Sequence, residues 1–162
     1  MLEIFGDLLS IDHKMYDYYC KIVRVIDGDT VDVDIDLGFG IVLHNRRVRI
    51  SGIDAPPIRS RDLIEKQFGL ASKKRAEELL PIGSKQILFS ELDRTGNVSH
   101  GKFGRILGDF KINDSTFAKI MLQEYHAVPY NGGPKEQLDS AMIANRERLL
   151  SEGKVVLDPD FK

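Results

Sequence analysis

The sequence predicts an α+β chain, a five-stranded Greek-key barrel carrying three helices. Three observations carry this reading. Val31, Val33 and Ile35 alternate strictly with Asp32, Asp34 and Asp36, the period of a half-buried strand. Ile64, Phe68, Ala71, Ala76, Leu79 and Leu80 recur instead at helical spacing, and Pro81 stops the run. The segments follow one another as three strands, a helix, two strands and two helices, an order that suits a small barrel of the OB type without requiring it.

The elements can be taken in order. Residues 1–16 carry Leu2, Ile4, Phe5, Leu8 and Leu9, a spacing that suits a short helix or a packed arm. Residues 17–162 read as one domain, because no repeat, low-complexity tract or Pro/Ser-rich linker divides them. From Tyr18 to Ile26 apolar and polar residues roughly alternate, which predicts the first strand. The alternating run ending at Asp36 is the second, and Gly38-Phe39-Gly40 supplies turn chemistry. Ile41 to Ile53 reads as the third, with Val48 and Ile50 set against Arg47 and Arg49. Ile87 to Leu92 and Phe103 to Phe110 read as two more, joined by the polar stretch Asp93 to Gly101. Asn113-Asp114-Ser115 offers caps for a helix holding Phe117, Ile120, Met121 and Tyr125. Gly133-Pro134 opens the last helix, where Leu138, Ala141, Met142, Asn145 and Leu149 share a face.

Composition narrows the function classes. The chain has 162 residues, enough for one domain with a real core. Net charge is −2 and the pI is near 6.1, which argues against a strong non-specific DNA binder but not against an enzyme with local positive charge. No apolar run reaches membrane-spanning length, and no basic-then-apolar leader opens the chain. Cys20 alone excludes an internal disulfide or a multi-cysteine zinc site, and it reads as a small residue in a strand. A cytoplasmic setting is therefore expected, with no membrane and no obligate protein partner. The four histidines show no metal spacing, and no Ser-His-Asp grouping or phosphate-cradling Gly-Lys loop is visible.

Two carboxylates stand out from the rest. Asp29 sits in Asp27-Gly28-Asp29-Thr30, a stretch that reads equally well as a strand-joining turn. Asp54 ends an apolar segment just before Ala55-Pro56-Pro57, where proline forces the chain out of the sheet and aims the carboxylate at a rim. Converging carboxylates can hold a hard divalent cation, and an arginine fork suits a phosphate oxygen. Arg49 lies five residues before Asp54, and Arg105 closes Lys102-Phe103-Gly104-Arg105. Arg46 and Arg47 read as surface arginines. Asp32, Asp34 and Asp36 fall together on a solvent face, which favours a solvated strand over a third metal cluster.

These motifs resemble the staphylococcal nuclease (thermonuclease) family. The likeness runs from about Lys21 to about Leu150 and includes the D-G-D-T turn, R-x-x-G-I-D-A-P, Glu65-Lys66-x-Phe68-Gly69, K-F-G-R and Ala127-Val128-Pro129-Tyr130. It implies an OB-fold barrel. It implies that Asp29, Asp54 and the backbone carbonyl of Ala55 bind calcium, with manganese as an alternative. Arg49 would then bind phosphate, and Arg105 would stabilise the charge that builds on phosphorus. Lys102, Phe103 and Tyr130 match positions near the bound nucleotide.

One departure matters. Where the family carries a glutamate as base or water-positioner, this chain has Pro57. Asp62 and Glu65 lie nearby, but the Glu-Lys-x-Phe-Gly run anchors Glu65 to a different family position. The leading expectation is a calcium-dependent nuclease acting on DNA or RNA, slowed by the lost base. The alternative is an inactive module of the same fold that binds nucleic acid or a protein.

Overall fold

The computed structural model describes residues 15–91 and 105–162. Lys102, Phe103 and most of residues 1–16 lie outside them. Among the described residues the strands are β1 (Met15–Asp27), β2 (Thr30–Asp36), β3 (Val42–Ile50), β4 (Ile53–Asp54), β5 (Lys85–Glu91), β6 (Ile106–Ile112), β7 (Ser115–Thr116) and β8 (Val128–Pro129). The α-helices are α1 (Leu63–Leu79), α2 (Phe117–Gln123) and α3 (Asp139–Ser151), the last preceded by a 3-10 turn at Lys135–Leu138.

Five strands run in the order β3-β2-β1-β5-β6, and β3 pairs again with β6 in parallel, Val48 opposite Ile106 and Ile50 opposite Gly108. The sheet is thereby closed into the expected barrel. β1 is long enough to serve two partners. Its first half pairs with β5 and its second with β2, and register shifts after Ile22 and Val25 bend it between them. Val31, Val33, Val48, Phe110 and Phe117 fill the interior with no exposed surface. Burying each contributes about 1.5–3 kcal/mol. Phe117 opens α2 and meets Phe110 edge-to-face, at 6.4 Å between ring centroids. α1 presses Ala76 onto the barrel and sends Phe68 the other way, into a second cluster with Leu149 of α3 and Val155.

Several boundaries differ from the sequence reading, each for a local reason. The third strand stops at Ile50, because the chain turns a corner at Ser51-Gly52, where Gly52 has φ +78°. Asp54 therefore sits on a separate two-residue strand, β4. α2 is capped by Thr116, whose hydroxyl accepts from the Lys119 N–H. Asn113-Asp114 instead make the tight turn that lets Ser115 pair with Ile112. Asp32 is not on a solvated face. It is buried, and Arg24 and Arg47 each place two nitrogens on its carboxylate, at 2.8–3.2 Å. No helix among the described residues is long and apolar enough to cross a membrane.

Candidate active site

The site is assembled from two corners of the barrel. At the first, Asp27 ends β1 and its carboxylate accepts from the Asp29 N–H at 3.1 Å, bracing the turn. Gly28 is demanded by packing: a Cβ there would lie 2.0 Å from the Ser72 hydroxyl of α1. That hydroxyl donates to the His126 carbonyl at 2.8 Å, so one buried serine ties the turn, α1 and the segment before β8 together. Nothing in the sequence marks Ser72 beyond its being a small residue within the helical run.

Asp29 joins the first corner to the second. One carboxylate oxygen accepts from the Thr30 hydroxyl, the other from the Ala55 N–H, both at 2.8 Å. Its backbone carbonyl accepts from Ile50 N–H at 2.8 Å. β4 is held from the far side by β8, with Asp54 opposite Val128, and the Tyr130 N–H donates to the Gly52 carbonyl. The Ala-Val-Pro-Tyr motif is thus the clamp that fixes the Ile-Asp-Ala-Pro motif. α1 approaches the loop after Ala55 so closely that a Cβ on Gly69 would fall 2.3 Å from the Pro57 carbonyl oxygen. This gives the glycine of the Glu-Lys-x-Phe-Gly run a packing reason.

Arg49 lies between the two carboxylates. Its Nη2 is 2.9 Å from Asp54 and 3.4 Å from Asp29, and its Nη1 donates to the carbonyls of Ile50 and Ile53 at 2.8 and 2.9 Å. All three side chains are buried. The arginine expected to face phosphate is thus also the cation that separates two like charges. A second cation, Lys135 from the 3-10 turn, reaches Asp54 at 3.1 Å. Burial, then the charge of Asp29, raises the Asp54 carboxyl above the usual range, and Lys135 and Arg49 counter this. Burial and the same neighbour push Asp27 up to about 7.

These groups line a cavity of about 300 Å³ together with Thr30, Ala55, Pro57, Arg105, Glu65 and, from α3, Asp139 and Met142. Five expected site residues therefore meet in one place: Asp29, Asp54, Ala55, Arg49 and Arg105. Tyr130 stands outside that wall. Its hydroxyl donates to the Gly133 carbonyl, and Lys135 lies 5.8 Å from its ring centre. Asp62 is consumed as the cap of α1. Glu65 does reach the cavity, but it is already held by the Ser60 hydroxyl and by Arg146 at 3.7 Å. Lys135 and Asp139 were missed in the sequence, where they follow Gly133-Pro134 at the opening of the last helix with no motif to mark them. Among the described residues no three His, Cys, Asp or Glu side chains cluster to hold a metal.

The family model for staphylococcal nuclease homologues matches residues 47–150. The chain belongs to that family. The match takes in Arg49, Asp54, Ala55, Arg105 and Tyr130, and it begins after the turn that holds Asp29. No curated protein matches the chain. Membership brings a nuclease-like function, and the closed barrel with its three helices is the fold of this nuclease family.

Proposed function

We propose that the chain is a metal-dependent phosphodiesterase that hydrolyses DNA or RNA. One observation carries the reading: Asp29 and Asp54, from separate corners, converge with Arg49 and Arg105 on one cavity. The site also fits a hard cation. Its donors are oxygens, from two buried carboxylates and a backbone carbonyl. Asp29, Asp54 and the Ala55 carbonyl would hold calcium or manganese. Bound there, the cation would polarise the phosphodiester and make water a better nucleophile.

The remaining work falls to the chain's own side chains. Arg49, fixed through two carbonyls and two carboxylates, is preoriented to receive a phosphate oxygen without a search over rotamers. Arg105, at the opening of β6, would stabilise the added charge of the transition state. Lys102, Phe103 and Tyr130 would seat the nucleotide, as the family resemblance implies. By the same resemblance the bond to the 5′ oxygen breaks and a 3′-phosphate remains. Pro57 has no group to take a proton, so the reaction would proceed without the family's carboxylate base.

A second reading is favoured by two features of the same cavity. Pro57 lines it where a base would stand, and Arg49 and Lys135 already cover both carboxylates. Such a module would bind nucleic acid or a protein without cleaving. The test is cleavage of an end-labelled strand in calcium, in manganese and in chelator, by wild type and Asp54→Asn. The hydrolytic reading expects metal-dependent products that Asp54→Asn abolishes. Tight binding with no product under any condition would sink it in favour of the binding module.

A further inference from the structure

The outer face of the barrel continues away from the site as an ordered row of charges. Along β1, β2 and β3, the rung nearest the site pairs Asp27 with Thr30 and Thr30 with Arg49. The adjacent rung on the same face pairs Arg24 with Asp32 and Asp32 with Arg47. Two residues separate the rungs on β2 and on β3, and three on β1, where the register shift falls. The two-residue step is about 7 Å, comparable to the step between neighbouring phosphates of an extended strand. A groove of about 990 Å³ runs over this second rung. It is walled by Val23 and Ile26 as well as by the arginines, and it shares Asp27, Thr30 and Arg105 with the cavity of the candidate site.

The chemistry of the second rung is unusual for a stability device. One buried carboxylate takes two guanidiniums, so the rung keeps a net positive charge. Exposed ion pairs contribute little to folding, and the side chains of Arg24 and Arg47 stay 60% and 45% exposed. What Asp32 does is fix them. Each arginine uses Nε and Nη2 on the carboxylate, which turns the edge bearing Nη1 away from it. Among the described residues neither Nη1 has a hydrogen-bond partner. A guanidinium held in this way loses little rotamer freedom when it meets an anion, and its planar fork suits phosphate.

We propose that this groove is a track for the backbone of a single nucleic-acid strand leaving the candidate site. Arg24 and Arg47, clamped by Asp32, take the phosphate next to the one at Arg49, and Val23 and Ile26 face the sugars. The proposal rests on the phosphodiesterase reading for the position of the first phosphate. It also explains how an acidic protein holds a polyanion, because the positive charge is gathered on one strip.

The test is anisotropy of a labelled dinucleotide and of a much longer oligothymidylate, in chelator, over a range of salt. The wild type should bind the longer strand more tightly and with a steeper salt dependence. Arg24→Gln should lower the logarithmic salt slope for the long strand by about 0.7, the loss of one single-strand phosphate contact. It should leave dinucleotide cleavage in calcium unchanged, and Arg24→Lys should restore the slope. Asn45→Asp tests the same groove without touching the clamp. Asn45 lines it at φ +52°, a conformation aspartate tolerates, so the fold should survive and only long-strand binding should weaken. If Arg24→Gln fails to fold, Asn45→Asp decides alone. Unchanged long-strand affinity in folded Arg24→Gln, or in Asn45→Asp, overturns the track. So does a wild type that cleaves the dinucleotide yet binds both lengths alike, an outcome that leaves hydrolysis standing. Binding that depends on Arg24 with no cleavage in any metal keeps the track and removes the hydrolytic reading.

Discussion

Arg49→Met separates the structural duty of this arginine from any duty toward phosphate. The substitution keeps the apolar stem and removes a guanidinium that meets Asp54 at 2.9 Å, Asp29 at 3.4 Å and two backbone carbonyls. Two buried carboxylates would be left facing each other without the cation between them, and Lys135 would remain at 3.1 Å from Asp54. That lysine's side chain is 66% exposed and therefore largely screened. Removing one partner of a buried pair costs about 3–5 kcal/mol. For a chain of this size each kcal/mol moves the melting temperature by about 2–4 °C, so a fall of roughly 6–20 °C is expected. The loss should also depend on pH with a definite sign. Asp54 is already raised in the fold, chiefly by burial and then by Asp29, and without Arg49 it rises further. A carboxyl raised in the folded state favours folding at low pH and loses that contribution as pH climbs from its unfolded value through its folded one. The gap between wild type and Arg49→Met should therefore narrow on acidification. The assay is thermal and urea unfolding in chelator across the acidic to neutral range. A loss below about 1 kcal/mol, smaller than any buried ion pair broken on one side should give, would refute the buried triad. A gap that pH does not change would refute it too.

Three other outcomes follow from the same geometry. Pro57 is exposed at the cavity rim, so Pro57→Glu has room for its side chain and should raise single-turnover cleavage by up to roughly 10²- to 10⁴-fold, the usual contribution of a general base; a faster proline form would mean that another group already fills the role. Gly69→Ala drives a methyl onto the Pro57 carbonyl, and overpacking of that kind should cost about 1–3 kcal/mol by urea titration and lower activity through the displaced loop. Asp27, with its carboxyl at about 7, should make the metal-free protein lose stability as pH rises from about 4 to about 7; Asp27→Asn should flatten that part of the profile, and carboxyl NMR should place the titration near neutrality.

What the sequence disclosed depends on how each feature is encoded. Strict alternation in β2 and helical spacing in α1 are local patterns, so the strands and helices could be read from neighbouring residues. Asp29, Asp54 and Arg49 could be singled out for reasons of place and motif. Asp29 lies in the turn between β1 and β2, Asp54 ends β4 just before two prolines, Arg49 lies five residues before it, and all three fall in the motifs of the family resemblance. Contacts between distant segments left no such trace. Ser72 binding the His126 carbonyl, Lys135 reaching Asp54 and Arg47 sharing Asp32 with Arg24 join residues whose own neighbourhoods look ordinary. Asp32 shows the cost of a purely local view. Alternation correctly placed it on the outward face of β2, but outward is not solvated when arginines from both flanking strands close over it. The same logic bears on Arg49. A strand position facing outward near two carboxylates can serve phosphate or serve the fold, and sequence spacing is identical in the two cases. The distances show that Arg49 already serves the fold, through four polar partners. A phosphate at this site would therefore meet a guanidinium already set by the barrel. The cost of orienting it would have been met during folding, before any substrate arrives.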